Sequence, residues 1–144
     1  MALAAAEGAG GEAEVIVKPA PSVGPADLLS ADGYLFACPE NLASMSGVMK
    51  EFFDRCYYSV LGQIEGRPYA TMICAGSDGE GAARQIARIA TGWRLKAVAE
   101  PLIVCTHAQT TEAILAPKII SKVDLEQCRQ LGSLMAAGLA MRVF

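Results

Sequence analysis

The sequence has a single histidine, a single tryptophan and no C-x-x-C pair among its five cysteines. Zinc frameworks built on closely spaced Cys and His ligands are therefore absent. Cys38, Cys74 and Cys105 sit near the ends of predicted strands with His107 nearby, but without zinc-type spacing no metal is expected. An odd number of scattered thiols argues against a disulfide scaffold and for buried cysteines in a reducing compartment. No basic cluster stands out against a net charge of −3, which excludes a general nucleic-acid binder. No apolar run is long enough to span a bilayer, so no membrane partner is expected. The start, Met1 to Glu7, lacks the basic segment of a secretory signal, and a cytoplasmic protein is expected. No internal repeat is present.

What is present suits one domain over residues 1–144, with 53% hydrophobic residues to fill its core. Residues 1–7 are Ala-rich and predict a short helix that Gly8, Gly10 and Gly11 end. Glu14 to Lys18 reads as a short strand, and Pro19, Pro21, Gly24 and Pro25 make a loop. Gly33 to Cys38 is an apolar run without alternation, as in a strand covered on both faces. A helix follows, capped by Ser44 or Ser46. Met45, Val48, Met49, Phe52, Phe53 and Cys56 form its buried face. Lys50 with Asp54 and Glu51 with Arg55 stand four apart on its wet side.

Pro68 to Ala75 predicts a second buried strand, Ala82 to Thr91 a helix stopped by Gly92, and residues 97–105 a further strand centred on Leu102 to Val104. Trp93 reads as partial core. Residues 106–120 are ambiguous. Ser121 to Asp124 resembles a capping box, with Asp in place of the usual Glu or Gln. Leu125, Cys128, Leu131, Met135 and Leu139 mark the last helix. Strands alternating with helices imply an α/β fold whose parallel sheet carries helices on both faces.

Two loops follow strands at the same end of that sheet, where ligands bind in open α/β folds. The first is Pro39, Glu40, Asn41, Leu42, Ala43 and Ser44. The second is Ala75, Gly76, Ser77, Asp78, Gly79 and Glu80, with Gly81 behind it. Glycines let backbone N–H groups approach a flat ring or an anion closely. Asp78 and Glu80 argue against a phosphate here and for a neutral ring. A tight strand-to-helix turn with no ligand is the plainer account of such a loop taken alone. His107 follows a strand end and either faces a ligand or lies on the surface. Arg84, Arg88 and Arg94 either meet a nicotinamide dinucleotide phosphate or, as the plainer account, form a solvated helix face.

The run Ala31 to Arg55 resembles the flavin-ring segment of flavodoxin-like NAD(P)H-dependent oxidoreductases. The resemblance rests on Cys38-Pro39, Met45-Ser46-Gly47, Lys50 and Phe53-Asp54-Arg55, with the Gly-rich stretch Ala75 to Gly81 as a further flavin loop. Glu40 is closer to the Pro-Glu-Tyr-Asn pattern of FMN reductases than to the Thr-Arg-Phe-Gly of tryptophan-repressor-binding-type quinone oxidoreductases. Thr91 stands about where some members carry a flavin-site His. The resemblance implies a three-layer flavodoxin-like fold, FMN as cofactor and NADH or NADPH as electron donor. It implies a quinone, a flavin or another small molecule as acceptor, and a homo-oligomer. Its flavin-binding residues would be the two loops named above. Residues 2–7 resemble the tail of that family's first helix. The expectation is therefore an N-terminally incomplete domain lacking the first strand and the FMN phosphate loop, with weakened FMN binding. A non-catalytic flavodoxin-like remnant or interaction module is the alternative. A phospho-receiver domain shares the sheet order, but Pro39 and Cys105 stand where its phospho-accepting Asp and its Lys are needed.

Overall fold

The computed structural model describes residues 1–144. The order is α1 (Ala2–Ala9), a 3₁₀ turn (Ala20–Ser22), α2 (Pro25–Ser30), β1 (Tyr34–Asn41), β2 (Ser44–Met45), α3 (Gly47–Val60) and β3 (Pro68–Ala75). It continues with α4 (Glu80–Gly92), β4 (Lys96–Ala97), β5 (Leu102–Cys105), α5 (Thr111–Leu115) and α6 (Lys122–Ala140).

β3 is the centre of the sheet. It runs parallel to β1, from Tyr34 beside Tyr69 to Pro39 beside Cys74. On its other side it runs parallel to β5, from Met72 beside Leu102 to Ala75 beside Cys105. β4 pairs with the start of β3. β2 folds back antiparallel on the end of β1. Parallel strands need both faces covered, and β3 is buried along nearly its whole length.

α3 and α4 cover one face over Phe36, Phe52, Phe53, Ile73, Ile86 and Trp93. Burying each such side chain is worth about 1.5–3 kcal/mol, so this larger cluster dominates the core. α1 and α6 cover the other face, where Ala4 and Ala5 meet Met72, Cys128, Leu131 and Met135. The three-layer α/β architecture is the one the sequence predicts.

Several local expectations are corrected. Glu14 to Lys18 joins no sheet, and Val15, Ile16 and Val17 are exposed. A strand is made by its neighbour's hydrogen bonds, and none lies beside this segment. The outer edge of β1 from Tyr34 to Cys38 is likewise unpaired. α1 runs through Gly8 to Ala9, and Gly8 serves helix packing rather than ending the helix, since a side chain there would collide with the Arg129 carbonyl of α6. Val48 faces solvent, one position off the buried stripe of Met49, Phe52, Phe53, Cys56 and Val60.

Ser44 is a strand residue and not a cap, while Ser46 holds the N-cap position of α3 without a side-chain bond. Trp93 is fully buried rather than partial core. Its Nε1–H donates to the Tyr57 carbonyl (3.1 Å) and its ring stacks on Tyr57. At Ser121 the capping bond from the Asp124 N–H is present at 3.1 Å. The reciprocal bond is replaced by the Ser121 hydroxyl donating to the Asp124 carboxylate. No helix is long and apolar enough to cross a membrane.

Candidate functional site

The carboxyl ends of β1 and β3 lie side by side, so the loops that leave them are neighbours. β1 continues past Cys38 through Pro39 to Asn41 and turns at Leu42–Ala43 into β2. Pro39 is exposed; having no N–H, it is tolerated where a strand runs out of its sheet. Leu42 (φ +53°) and Ala43 (φ +59°) both sit in the left-handed region. A two-residue hairpin needs that geometry, and Asn-Gly is the usual way to supply it. Leu-Ala adopts it at a cost of about 1–2 kcal/mol per residue. Such strain persists only where the surroundings over-determine it.

The surroundings are α4 and its glycine loop. The Gly79 N–H donates to Glu40 Oε1 (2.9 Å) and the Ala82 N–H to Glu40 Oε2 (3.1 Å). Glu40 therefore caps α4 from another element and places its charge at the positive end of the helix dipole. On the far side of the turn, Gln85 Oε1 accepts from the Ser44 hydroxyl and from the Met45 N–H, both at 2.9 Å. Gly81 admits the hairpin, since a Cβ there would collide with the Ala43 carbonyl. Gly79 (φ +93°) is required twice over, by its backbone and by the side chain of Ile103 against it.

The residues expected at a site from sequence are thus brought together, with their roles divided. Glu40, Ser44 and Gly79 are engaged in holding the two loops to each other. The amides of Leu42, Ala43, Gly76, Ser77 and Asp78 donate to no protein acceptor. Asn41, Leu42, Ala43, Ser77, Asp78 and Glu80 are exposed, and Ala75 is buried beneath them. A third loop joins the cluster at Thr106, whose N–H donates to the Ala75 carbonyl (2.8 Å). Its neighbour His107 is exposed with φ +54°. Gly76 lies against the Ala108 carbonyl of this loop. Thr91 is not at the site. It sits in the last turn of α4, opposite the end that meets the loops, and its hydroxyl donates to the Ala87 carbonyl.

This donor set suits the edge of an FMN ring, which presents carbonyl oxygens and ring nitrogens to neutral N–H groups. It does not suit the phosphate. The amides that begin α4 are occupied by the Glu40 carboxylate, with Asp78 and Glu80 beside them.

Burial pushes the thiols of Cys38, Cys56, Cys74 and Cys128 up, so none is a ready thiolate nucleophile at neutral pH. At Cys38 the Ser46 N–H opposes that rise in part. Cys74 and Cys105 occupy successive positions of the β3–β5 ladder and point to opposite faces. No three His, Cys, Asp or Glu side chains converge. The Ser46 hydroxyl is the one buried side-chain polar group without a partner.

Sequence reasoning named Arg84, Arg88 and Arg94 as candidate phosphate contacts but did not foresee the groove on the outer side of the hairpin that Arg84 and Arg88 line. Arg94 lies elsewhere, paired with Glu65. The groove is a cavity of about 520 Å³, with Lys50, Arg84 and Arg88 on its walls. The signal was the spacing of Arg84 and Arg88 on one helix face; Lys50 joins them only through the fold.

Residues 11–109 match a family model described as NADPH-dependent FMN reductase. No curated protein sequence matches the chain. Among solved structures, a flavodoxin from Archaea is similar with a TM-score of 0.75 and 19% identity, over 96% of this chain and 87% of that one. A flavodoxin, WrbA-like protein from Agrobacterium tumefaciens gives 0.70 and 19%, over 98% of this chain and 87% of that one. A flavodiiron protein from Giardia intestinalis gives 0.74 and 17%, over 98% of this chain and 32% of that one. These identities speak to fold alone.

Proposed function

Because the chain belongs to the NADPH-dependent FMN reductase family, a family of flavin-dependent oxidoreductases, we propose that it holds FMN by the ring and reduces a small acceptor, a quinone or a flavin, at the expense of NADH or NADPH. The observation that carries this reading is the pair of clamped loops at the carboxyl end of the sheet, whose amides at Leu42, Ala43, Gly76, Ser77 and Asp78 make no bond within the protein. Bound flavin would supply the hydride and electron chemistry. The chain's own work is positional. Glu40 and Gln85 fix the hairpin, and Gly79 and Gly81 bring the second loop within reach of it. The free amides then favour negative charge on a ring lying against them. No side-chain acid or base is assigned a proton transfer.

The ring is gripped and the phosphate is not, so FMN and riboflavin should bind with similar affinity. A homo-oligomer belongs to the same reading: a partner closing over the loops would bury Leu42, which is fully exposed at the hairpin tip. The test is titration of the purified chain with FMN, followed by flavin fluorescence and visible absorbance. Anaerobic addition of NADPH or NADH and then a benzoquinone comes next. Stoichiometric binding, bleaching by the nicotinamide and recovery by the quinone are expected. Bound flavin that neither donor reduces would sink the enzymatic reading.

A second reading, a flavodoxin-like interaction module, is favoured by one observation. The outer edge of β1 is unpaired, and the apolar Val15 to Val17 segment is exposed. Unpaired edges recruit other chains. Colourless protein that FMN cannot reconstitute is the result that favours it.

A further inference from the structure

We propose that the cavity between the hairpin, α3 and α4 binds the phosphate groups of the nicotinamide dinucleotide donor, through Lys50, Arg84 and Arg88. The proposal rests on the reductase reading for the identity of the ligand, but its geometry stands apart from the flavin loops. The cavity measures about 520 Å³ and is open to solvent. Its volume is that of a small-molecule site, and its shape is an open surface groove rather than an enclosed pocket.

Its polar lining is made of donors. Arg84 and Arg88 lie one turn apart on α4, and Lys50 reaches in from α3. Gln85 spends its Oε1 on Ser44 and Met45, which leaves the Nε2–H groups without an acceptor. Some of the cations of this acidic chain are paired with carboxylates: Lys18 with Asp27, Arg55 with Glu51, Arg94 with Glu65, Arg129 with Glu7 and Glu126. Arg84 and Arg88 have no carboxylate partner. Like charges four apart weaken a helix. Lys50 is the exception in the cavity, held by Asp54 at 2.6 Å in an exposed pair. Such pairs are weak and yield readily to a stronger anion.

Two guanidinium groups, an ammonium and an amide exceed what a single carboxylate uses. They match a diphosphate, which guanidinium groups recognise bidentately. The position is also right. Ala43 belongs both to the flavin-facing turn and to the cavity wall. A dinucleotide whose nicotinamide meets a ring held by that turn has this groove as the neighbouring basic surface.

Calorimetric titration of the full chain with ADP, inorganic pyrophosphate and NADPH tests this without turnover. FMN and riboflavin are titrated in parallel. Saturable binding of all three phosphate ligands is expected. The double variant Arg84→Gln/Arg88→Gln should weaken each by about tenfold or more, and Arg84→Lys/Arg88→Lys should lose less. FMN binding should be unchanged in both variants. Equal binding to wild type and the Gln variant would overturn the proposal, as would no binding at millimolar ligand. A Gln variant that loses FMN but keeps riboflavin would also overturn it, by assigning the cavity to the flavin's phosphate. Phosphate binding by a chain that never binds flavin would uphold the cavity while removing the reductase reading.

Discussion

Replacing Glu40 separates the architecture of the loops from their chemistry. The carboxylate accepts from Gly79 at 2.9 Å and from Ala82 at 3.1 Å across a part-buried contact. Loss of an N-cap acceptor costs about 0.5–2 kcal/mol, and a hydrogen bond to a charged group is worth about 1.5–3 kcal/mol. Water reaches the site and recovers part of this, so Glu40→Ala should lose about 2 kcal/mol. Glu40→Gln keeps one acceptor but turns an NH₂ toward a donor and gives up the charge, and should lose about 1 kcal/mol. The assay is urea unfolding. The midpoint should fall with the slope unchanged, because the surface exposed on unfolding is the same. A thermal melt should fall by about 2–4 °C per kcal/mol. Amide exchange at Gly79 and Ala82 should accelerate while α6 amides hold their protection. Both variants lying within about 0.5 kcal/mol of wild type, the range of an ordinary surface change, would show that the carboxylate does not clamp the loops.

Three further outcomes follow from the same geometry. Ala43→Gly removes the strain of a φ of +59° at an exposed position and should raise stability by about 1 kcal/mol after glycine's own entropic cost; a melt that does not rise refutes a strained turn. Gly132→Ala drives a methyl into the Ala5 carbonyl where α1 crosses α6 and should cost about 1–3 kcal/mol. Gly47→Ala, with nothing within 4 Å, is the neutral control; equal stability of the two would refute close helix contact. Asp27 is held below the ordinary carboxyl range first by the Gly24 N–H and then by Lys18, and Glu51 by Arg55. A lowered folded-state value favours the ionised native form, so this stability is complete only above about pH 5.5, beyond the ordinary values of both carboxyls, and drains as pH falls through and below them. Asp27→Asn should flatten the fall of the urea midpoint below that pH, and an unchanged slope would rule Asp27 out.

Much of this was readable locally. The apolar run that becomes β3 and the helical spacing that becomes α3 and α6 depend on patterns within a few residues, and they lie where the pattern puts them. What failed was non-local. The 14–18 segment has strand composition, but a strand needs a neighbour and the sheet supplies none. The hairpin at Leu42–Ala43 was hidden because its turn residues lack the Gly or Asn that announces a left-handed pair. Trp93 read as partial core because nothing in α4 shows that Tyr57 of α3 will cover it. The two flavin-like loops were legible as loops, but their mutual clamp was not. Glu40 stands 39 and 42 residues from its amide partners. The remaining clue was the pair Gly79 and Gly81, whose missing side chains leave room for an incoming backbone.

The clamp explains why a strained turn survives at this spot. Four hydrogen bonds fasten the hairpin, two at Glu40 before the turn and two at Gln85 after it. The residues between them are therefore not free to relax into an ordinary loop, and the turn's amides stay unspent. The same fastening sets Ala43 on the wall of the basic cavity. One rigid element thus serves two surfaces, and substitutions should sort accordingly. Releasing Glu40 or Gln85 lets the turn relax and should weaken ring binding and dinucleotide binding together. Changing Arg84 or Arg88, which take no part in the clamp, should weaken the dinucleotide alone.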